Sequence, residues 1–308
     1  MVTNLNRGIS FSIEGSEGAG KTVLSMLTRE LLKETTSFPV MATREPGGTP
    51  LAEEIRKLLK NAKFSDMEPR TNVLLFNAGR SEVFSKLEIP FLEKNPYGVL
   101  LKDRSRLSTI ALQEAEGADI GYIKSIQEPF ISIPDRFLII DIPVKETIVR
   151  MTAAQKNGGN REVDWRDHHR VEILEKIREN YLSFAVQNRD MCIVLDCFDD
   201  PWDKAARIKS EVFKMFAERE GKVFEPNELG SLQKTFSLDA QRIALNNKTW
   251  IPTLKREVPL VDIHELREIV EFARKELNYP SREELQREMH EKWQFMGIEG
   301  FSGGIERR

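Results

Sequence analysis

Residues Gly15–Thr22, with the sequence GSEGAGKT, decide the fold of this 308-residue chain. They follow a predicted strand, Ile9–Ile13 (ISFSI), and they lead directly into a helical pattern. This is the phosphate-loop pattern G-x-x-x-x-G-K-[ST] in the strand–loop–helix context that it requires. Backbone N–H groups and the helix N-terminus attract phosphate, and the lysine spans the terminal phosphates. The stretch predicts binding of ATP or GTP through Gly15, Ser16, Glu17, Gly18, Ala19, Gly20, Lys21 and Thr22.

An apolar run, Val99–Lys102, ends in Asp103. An apolar strand with a terminal aspartate is the usual second half of a phosphate-loop site, where the carboxylate lies near the metal ion. The hydroxyl that closes the phosphate loop is the other protein oxygen that such sites offer to the metal. We therefore predict a Mg²⁺ ion held by Thr22 and Asp103.

The first two-thirds of the chain alternates short β-branched runs with longer helical patterns. This alternation is typical of an α/β fold in which helices cover both faces of a parallel sheet. The predicted strands are Ile9–Ile13, Pro39–Thr43, Val99–Lys102, Arg136–Ile140 and Cys192–Leu195. The predicted helices are Thr22–Lys33, Pro50–Leu59, Thr71–Phe91, Ser108–Ala118, Val144–Ala154, His168–Ala185 and Asp200–Ala217.

The composition narrows the possible partners and compartment. The net charge of −3 does not favour nucleic acid or an anionic membrane as a partner. No apolar run reaches the length of a membrane span, and the N-terminus lacks the apolar core of a signal peptide. The two cysteines, Cys192 and Cys197, exclude a disulfide framework and favour a reducing compartment. We expect a cytoplasmic protein.

The composition changes near 218–226, where a charged stretch with glycine and proline indicates a linker. We therefore divide the chain into a phosphate-loop domain, 1–217, and an accessory, mainly helical region, 218–308. Capping boxes at Asp262 and Ser281 predict helices over Asp262–Asn278 and from Pro280–Ser281 to about Phe295. We expect Trp250, Trp293 and Phe295 to lie in a core.

Three further motifs separate the possible phosphate-loop proteins. They are Arg44-Glu-Pro-Gly-Gly-Thr49, the stretch Leu74–Arg80 (LLFNAGR), and the stretch Asp103–Gln113 (DRSRLSTIALQ). With these motifs the chain resembles the thymidylate kinase family over about residues 8–214. The resemblance implies a doubly wound parallel sheet of the nucleotide-kinase type. It also implies transfer of phosphate from MgATP to dTMP, which gives dTDP, and a homodimer.

The resemblance also implies roles for residues that match the family's motifs. Arg44 and Arg104 match arginines that bind the acceptor monophosphate, and Phe76 matches the aromatic residue that stacks on the pyrimidine. Arg80 and Gln113 match contacts to the base edge. Three more matches are Glu17, expected near the acceptor's 3′-hydroxyl and the metal, Ser108, expected in the acceptor site, and Arg150, expected against the adenine.

Phosphoryl transfer to a monophosphate requires cations more than it requires a general base, because the attacking oxygen is already anionic. Lys21, Arg44 and Arg104 supply three of these cations. The resemblance implies another from a mobile lid, about 155–168, because this phosphate loop carries no basic residue besides its lysine. The lid arginine is Arg161 or Arg166, which the sequence does not rank. The alternative is that both are solvated lid charges.

The chain departs from the family at positions that bear on the acceptor. Ser105 replaces an aromatic residue, Leu112 replaces a tyrosine, and Gly79 replaces an aspartate, while the lid's acidic motif reads Asp164-Trp-Arg-Asp167 after an insertion. One alternative is therefore a kinase for another or a modified pyrimidine deoxynucleotide, such as a dUMP type. Another is a nucleotide-binding regulatory protein without catalysis, against which the intact cations and Asp103 argue.

Overall fold

The computed structural model describes residues 7–64, 66–127, 133–156, 171–220, 270–275 and 277–298. Five parallel strands form one sheet with the order β2-β3-β1-β4-β5. Every predicted strand is confirmed, and its carboxyl end extends one residue further than predicted. The strands are β1 (Ile9–Glu14), β2 (Val40–Arg44), β3 (Val99–Asp103), β4 (Arg136–Asp141) and β5 (Cys192–Asp196).

Helices connect these strands, as the alternating pattern predicts, so the α/β fold with a doubly wound sheet is confirmed. Almost every residue of β1, β3 and β4 is buried, as expected for inner strands of a parallel sheet that is covered on both faces. The helices are α1 (Lys21–Thr35), α2 (Pro50–Leu59), α3 (Pro69–Val83), α4 (Ile89–Lys94), α5 (Arg106–Ala115), α6 (Ile120–Gln127), α7 (Val144–Lys156), α8 (Val171–Gln187), α9 (Pro201–Glu220) and α10 (Arg282–Met296).

Two helical predictions need correction. The single helix predicted over Thr71–Phe91 is interrupted by a π-helical turn at Phe84–Glu88, after which Pro90 lies in the first turn of α4. Proline lacks an N–H group and is tolerated at a helix start rather than inside a helix. The sequence prediction also missed α6, which follows the left-handed turn at Gly117 and is capped by Asp119.

In the C-terminal region, α10 packs on the same core as the sheet, while Ala273 packs in a separate cluster with Val149 and Ala153 of α7. Leu285, Met289 and Trp293, four residues apart along α10, all join the core cluster. The capping box of Ser281 and Glu284 is present, as predicted. The expectation for Phe295 is wrong, because that side chain is 93 % exposed.

The predicted linker needs a smaller correction, because α9 continues through its first residues to Glu220. Of the helix predicted over Asp262–Asn278, residues 270–275 are helical, while its predicted start lies outside the described residues. Trp250 also lies outside them. Within the described ranges, no helix has the length and apolar content to cross a membrane.

Candidate active site

The phosphate loop adopts a conformation that requires glycine at two positions. Gly15 has a φ of +136°, and a Cβ there would lie 2.5 Å from the Ile140 carbonyl oxygen. Gly20 precedes α1 with a φ of +91° and open space around it, so its backbone angle alone favours glycine. Together they place the loop at the carboxyl end of β1 and at the N-terminus of α1, where an anion is favoured.

Lys21 lies in the first turn of α1 with its ammonium group turned into the loop. Its Nζ donates to the Ser16 carbonyl oxygen at 2.7 Å. Burial, followed by the nearby Arg104 guanidinium, lowers the pKa of Lys21 to about 8 against the opposing effect of Glu17. The loop thus holds a buried cation whose protonation an anionic ligand would favour.

The Thr22 hydroxyl donates to Asp103 Oδ2 at 2.6 Å. Asp103 lies opposite Ile13 in the register of β1 and β3. It therefore ends beside the phosphate loop that follows β1 and leads to Thr22. A hydroxyl and one carboxylate fit Mg²⁺, which prefers oxygen ligands and takes others from water and substrate phosphates. The described residues contain no cluster of three or more His, Cys, Asp or Glu side chains that could hold a metal by itself.

Arg104 lies beside the phosphate loop in a backbone conformation that is rare for a residue with a side chain, with a φ of +75°. Its guanidinium donates to Glu17 at 2.7 Å and to the Ser108 hydroxyl at 3.0 Å. Burial by itself lowers the pKa of Arg104, but Glu17, Tyr181, Asp103 and Glu14 together outweigh burial, so that the pKa is raised. Arg104, Glu17 and Ser108, three predicted site residues, therefore form one cluster.

The sequence analysis missed two members of this cluster. Glu14, the last residue of β1, is fully buried and accepts hydrogen bonds from the Ser105 and Ser108 hydroxyls at 2.7 and 2.6 Å. Tyr181 of α8 places its hydroxyl 3.0 Å from the Ser108 hydroxyl, and burial followed by Glu14 raises its pKa. A carboxylate between a predicted strand and the phosphate loop was the available signal for Glu14.

Arg44 ends β2 and lies opposite Asp103 in the strand register. Its Nη2 donates to both carboxylate oxygens of Glu53, at 3.0 and 2.8 Å. Its buried Nε has no hydrogen-bond partner among the described residues. Burial, followed by the nearby Arg44, also lowers the pKa of Arg56 to about 10. The guanidinium groups of Arg44 and Arg56 therefore lie close enough to repel each other, beside the Glu53 carboxylate.

Arg80 lies deeper than its predicted contact with a base suggests. Its side chain is fully buried, and four of its five N–H groups donate within the protein. The acceptors are Glu45, Asn77, the Ser105 carbonyl oxygen and Thr109. Arg80 therefore ties α3 to the loop after β3, and its contact with a base stays a prediction.

Gln113 and Phe76, the other two predicted base contacts, differ in burial. Gln113 of α5 is 1 % exposed, and its amide nitrogen is buried without a hydrogen-bond partner among the described residues. A buried amide rarely stays unpaired in a native protein, so this group is available to a ligand. Phe76 of α3 is half-buried.

Arg150 of α7 spans the outer side of the phosphate loop. Its Nη1 donates to the Gly18 carbonyl oxygen at 3.1 Å, and its Nη2 donates to the Cys197 carbonyl oxygen at 3.2 Å. The guanidinium also lies 5.9 Å from the ring centroid of Phe198. The predicted lid arginines, Arg161 and Arg166, lie outside the described residues.

Comparisons with known proteins agree with this geometry. The family model described as thymidylate kinase matches residues 13–197. The thymidylate kinase of Geobacillus sp. (strain WCH70) is 35 % identical over 212 residues, which cover 68 % of this chain and 94 % of the relative. The thymidylate kinase of Chlamydia felis is 35 % identical over 190 residues, which cover 60 % and 87 %.

The fold also has a solved relative. The crystal structure of thymidylate kinase from Ehrlichia chaffeensis superposes with a TM-score of 0.51 at 26 % identity. The superposition covers 67 % of this chain and 98 % of that one. The family match ends at residue 197, so α9 and the whole C-terminal region lie beyond it.

Proposed function

Because the chain belongs to the thymidylate kinase family, we propose that it transfers the γ-phosphate of ATP to dTMP, which gives dTDP and ADP. The observation that carries this proposal is the position of Arg104. One guanidinium contacts Glu17 of the phosphate loop and Ser108 of α5, so it lies where a donor and an acceptor phosphate would meet.

On the donor side, the loop amides and Lys21 bind the ATP phosphates, and Arg150 lies against the adenine. Thr22 and Asp103 would hold a Mg²⁺ ion, which would neutralise phosphate charge there. The 2.6 Å contact between their oxygens supports this assignment, because both atoms face one point at the edge of the loop.

On the acceptor side, two buried nitrogen atoms without partners support the binding of a phosphate and a base. Arg44 Nε and Gln113 Nε2 are buried without hydrogen-bond partners in the described part of the chain. We propose that Arg44 and Arg104 bind the dTMP phosphate. Gln113 and Arg80 then meet the edge of the thymine, Phe76 stacks on its face, and Glu17 meets the 3′-hydroxyl.

In the reaction, an oxygen of the dTMP phosphate forms a bond to the γ-phosphorus as the bond from that phosphorus to the β,γ-bridging oxygen breaks. The attacking oxygen is anionic, so no side chain has to remove a proton. The protein aligns the two phosphates and neutralises the charge that spreads over the transferred group. Lys21, Arg44, Arg104 and a lid arginine, Arg161 or Arg166, supply those charges.

A panel of nucleoside monophosphates tests the proposal. We expect the highest kcat/KM for dTMP with ATP and Mg²⁺. A purine monophosphate preferred over every pyrimidine would contradict it.

A second candidate acceptor is another or a modified pyrimidine deoxynucleotide of the dUMP type. The favouring observation is Ser105, which replaces an aromatic residue and directs its hydroxyl to Glu14, at 2.7 Å, rather than filling space around a sugar or base. A lost apolar contact changes selectivity by only about 1–3 kcal/mol. The same panel therefore needs dUMP beside dTMP, and a higher kcat/KM for dUMP would select this candidate.

Three other expectations stay predictions. They are the homodimer, the cytoplasmic location, and the division of the chain after residue 217. Sedimentation of the purified chain tests the first. The packing of α10 on the sheet core bears on the third, and it favours an integral layer over a separable module.

A further inference from the structure

Glu146 of α7 is a buried carboxylate shared by two arginines. Its Oε1 accepts from Arg150 Nε at 2.6 Å, and its Oε2 accepts from Arg274 Nη2 at 2.5 Å. Glu146 is 1 % exposed and Arg274 is 3 % exposed. Arg274 belongs to the helical segment 270–275, far along the chain from the phosphate-loop elements. The Glu146 carboxylate therefore joins Arg274 of the C-terminal region to Arg150.

The contacts of Arg150 make this junction relevant to nucleotide binding. Its two terminal nitrogens bridge the phosphate loop, at Gly18, and the turn after β5, at Cys197. Its Nε is held by Glu146 alone among the contacts in the described part of the chain. Glu146 is therefore one of three acceptors that together fix the plane of the Arg150 guanidinium, and it is the one that Arg274 contacts.

The C-terminal region also contacts the turn after β5, which Arg150 contacts at Cys197. Arg282 donates to the Phe198 carbonyl oxygen and lies 5.7 Å from the centroid of its ring, on which Arg150 also lies. Gln286 and His290 of α10 contact Asp196 Oδ2 at 2.6 and 2.9 Å. Asp196 in turn accepts from the Phe198 N–H at 2.6 Å. The turn after β5 is therefore held from both sides.

We propose that residues 270–298 complete the donor-nucleotide side of the active site and that Arg274 is a positioning residue that acts through Glu146 on Arg150. The proposal rests on the proposed function in one respect, which is that Arg150 contacts the adenine of bound ATP. It assigns a role to a region beyond the family match, which ends at residue 197.

The hydrogen bonds of Glu146 explain why Arg274 is needed. With both arginines present, Glu146 gives one oxygen to each. Without Arg274, the Oε2 atom of Glu146 is left buried and unpaired, which is costly. The carboxylate is then expected to turn both oxygens to Arg150 in a bidentate pair, since this is the favoured geometry of an arginine and a carboxylate. That rotation draws the guanidinium away from Gly18 and from the adenine.

The test uses the full chain and measures the Kd of ATP directly, without turnover. Arg274→Met keeps the apolar stem and removes the charge. We expect the Kd of ATP to rise about tenfold, within the range for coupled neighbours, while the KM of dTMP stays unchanged. Arg287→Met, the same change at an exposed position of α10, is the matched control and should bind ATP like the wild type.

A double-mutant cycle separates positioning from general damage. In an Arg150→Ala background, Arg274→Met should add no further loss of ATP affinity, because the group that it positions is gone. If the second change adds its full factor there, or if Arg274→Met binds ATP as the wild type does, the proposal is overturned.

Two further measurements keep the test decisive. Glu146→Gln keeps the side-chain shape and removes the shared charge, so it replaces Arg274→Met if thermal unfolding shows that variant to be unfolded. We expect the same rise in Kd, and unchanged binding would overturn the proposal.

A wild type that binds ATP but does not phosphorylate dTMP would contradict the proposed function, while the effect of Arg274 on Kd would still be measurable.

Discussion

At the scale of single residues, the pKa of Lys21 makes nucleotide binding sensitive to pH. Burial, followed by Arg104, holds this pKa at about 8 in the free protein. Protonated Lys21 attracts the phosphates, so the Kd of ATP should rise as pH rises above 8, by about tenfold per pH unit at first. Isothermal titration between pH 6.5 and 9.5 measures this change. A Kd that stays constant across that range would show that Lys21 does not titrate there.

Arg104 carries a second prediction. Arg104→Ala removes the cation that contacts both Glu17 and Ser108. We expect kcat/KM for dTMP to fall by roughly 10²–10³-fold, the cost of losing one preorganised donor to the reacting group. The Kd of MgATP, measured on the same preparation, should change little. Normal turnover in this variant would refute the acceptor role.

Gln113 allows binding to be separated from stability. Its amide nitrogen is buried and unpaired in the described structure, so Gln113→Leu should not lower the melting temperature. The KM of dTMP should nevertheless rise about tenfold, the value of one hydrogen bond to the base. A variant that melts at a lower temperature with an unchanged KM would place Gln113 in the core rather than in the acceptor site.

At the scale of elements, α10 should behave as part of the domain. Trp293 is buried in the shared core, and its indole N–H donates to Asp141 Oδ2 at 2.7 Å. Asp141 also pairs with Arg178. Trp293→Ala should therefore cost about 3–5 kcal/mol of unfolding free energy, as for other buried aromatic residues. Chemical denaturation measures this cost.

Phe295, two residues further along α10 and 93 % exposed, is the matched control. Phe295→Ala should change the unfolding free energy by no more than about 0.5 kcal/mol. Equal effects of the two substitutions would mean that α10 does not rest on the sheet. The spacing of Leu285, Met289 and Trp293 was the signal that separates these two aromatic residues, because positions four apart share one face of a helix.

At the scale of the whole molecule, local patterns predict the sheet and most of the site. The sequence predicts the phosphate loop, the strand that ends in Asp103 and a parallel sheet. Together these bring Thr22 and Asp103 close, because parallel strands share one carboxyl edge. The contacts that were missed join distant parts of the chain. Tyr181 reaches Glu14 from α8, and Arg274 reaches Glu146 from beyond residue 218. No local periodicity encodes such pairs.

The central claim is that the phosphate loop drives phosphoryl transfer to dTMP. The most direct measurement is the formation of dTDP from dTMP, ATP and Mg²⁺ by the full chain, by Lys21→Met and by Lys33→Met. Lys33 lies on the same helix, α1, and is exposed, so it controls for the loss of a lysine. We predict that the wild type and Lys33→Met produce dTDP at equal rates and that Lys21→Met produces almost none. A wild type that forms no dTDP, or a Lys21→Met variant as active as the wild type, would contradict the account.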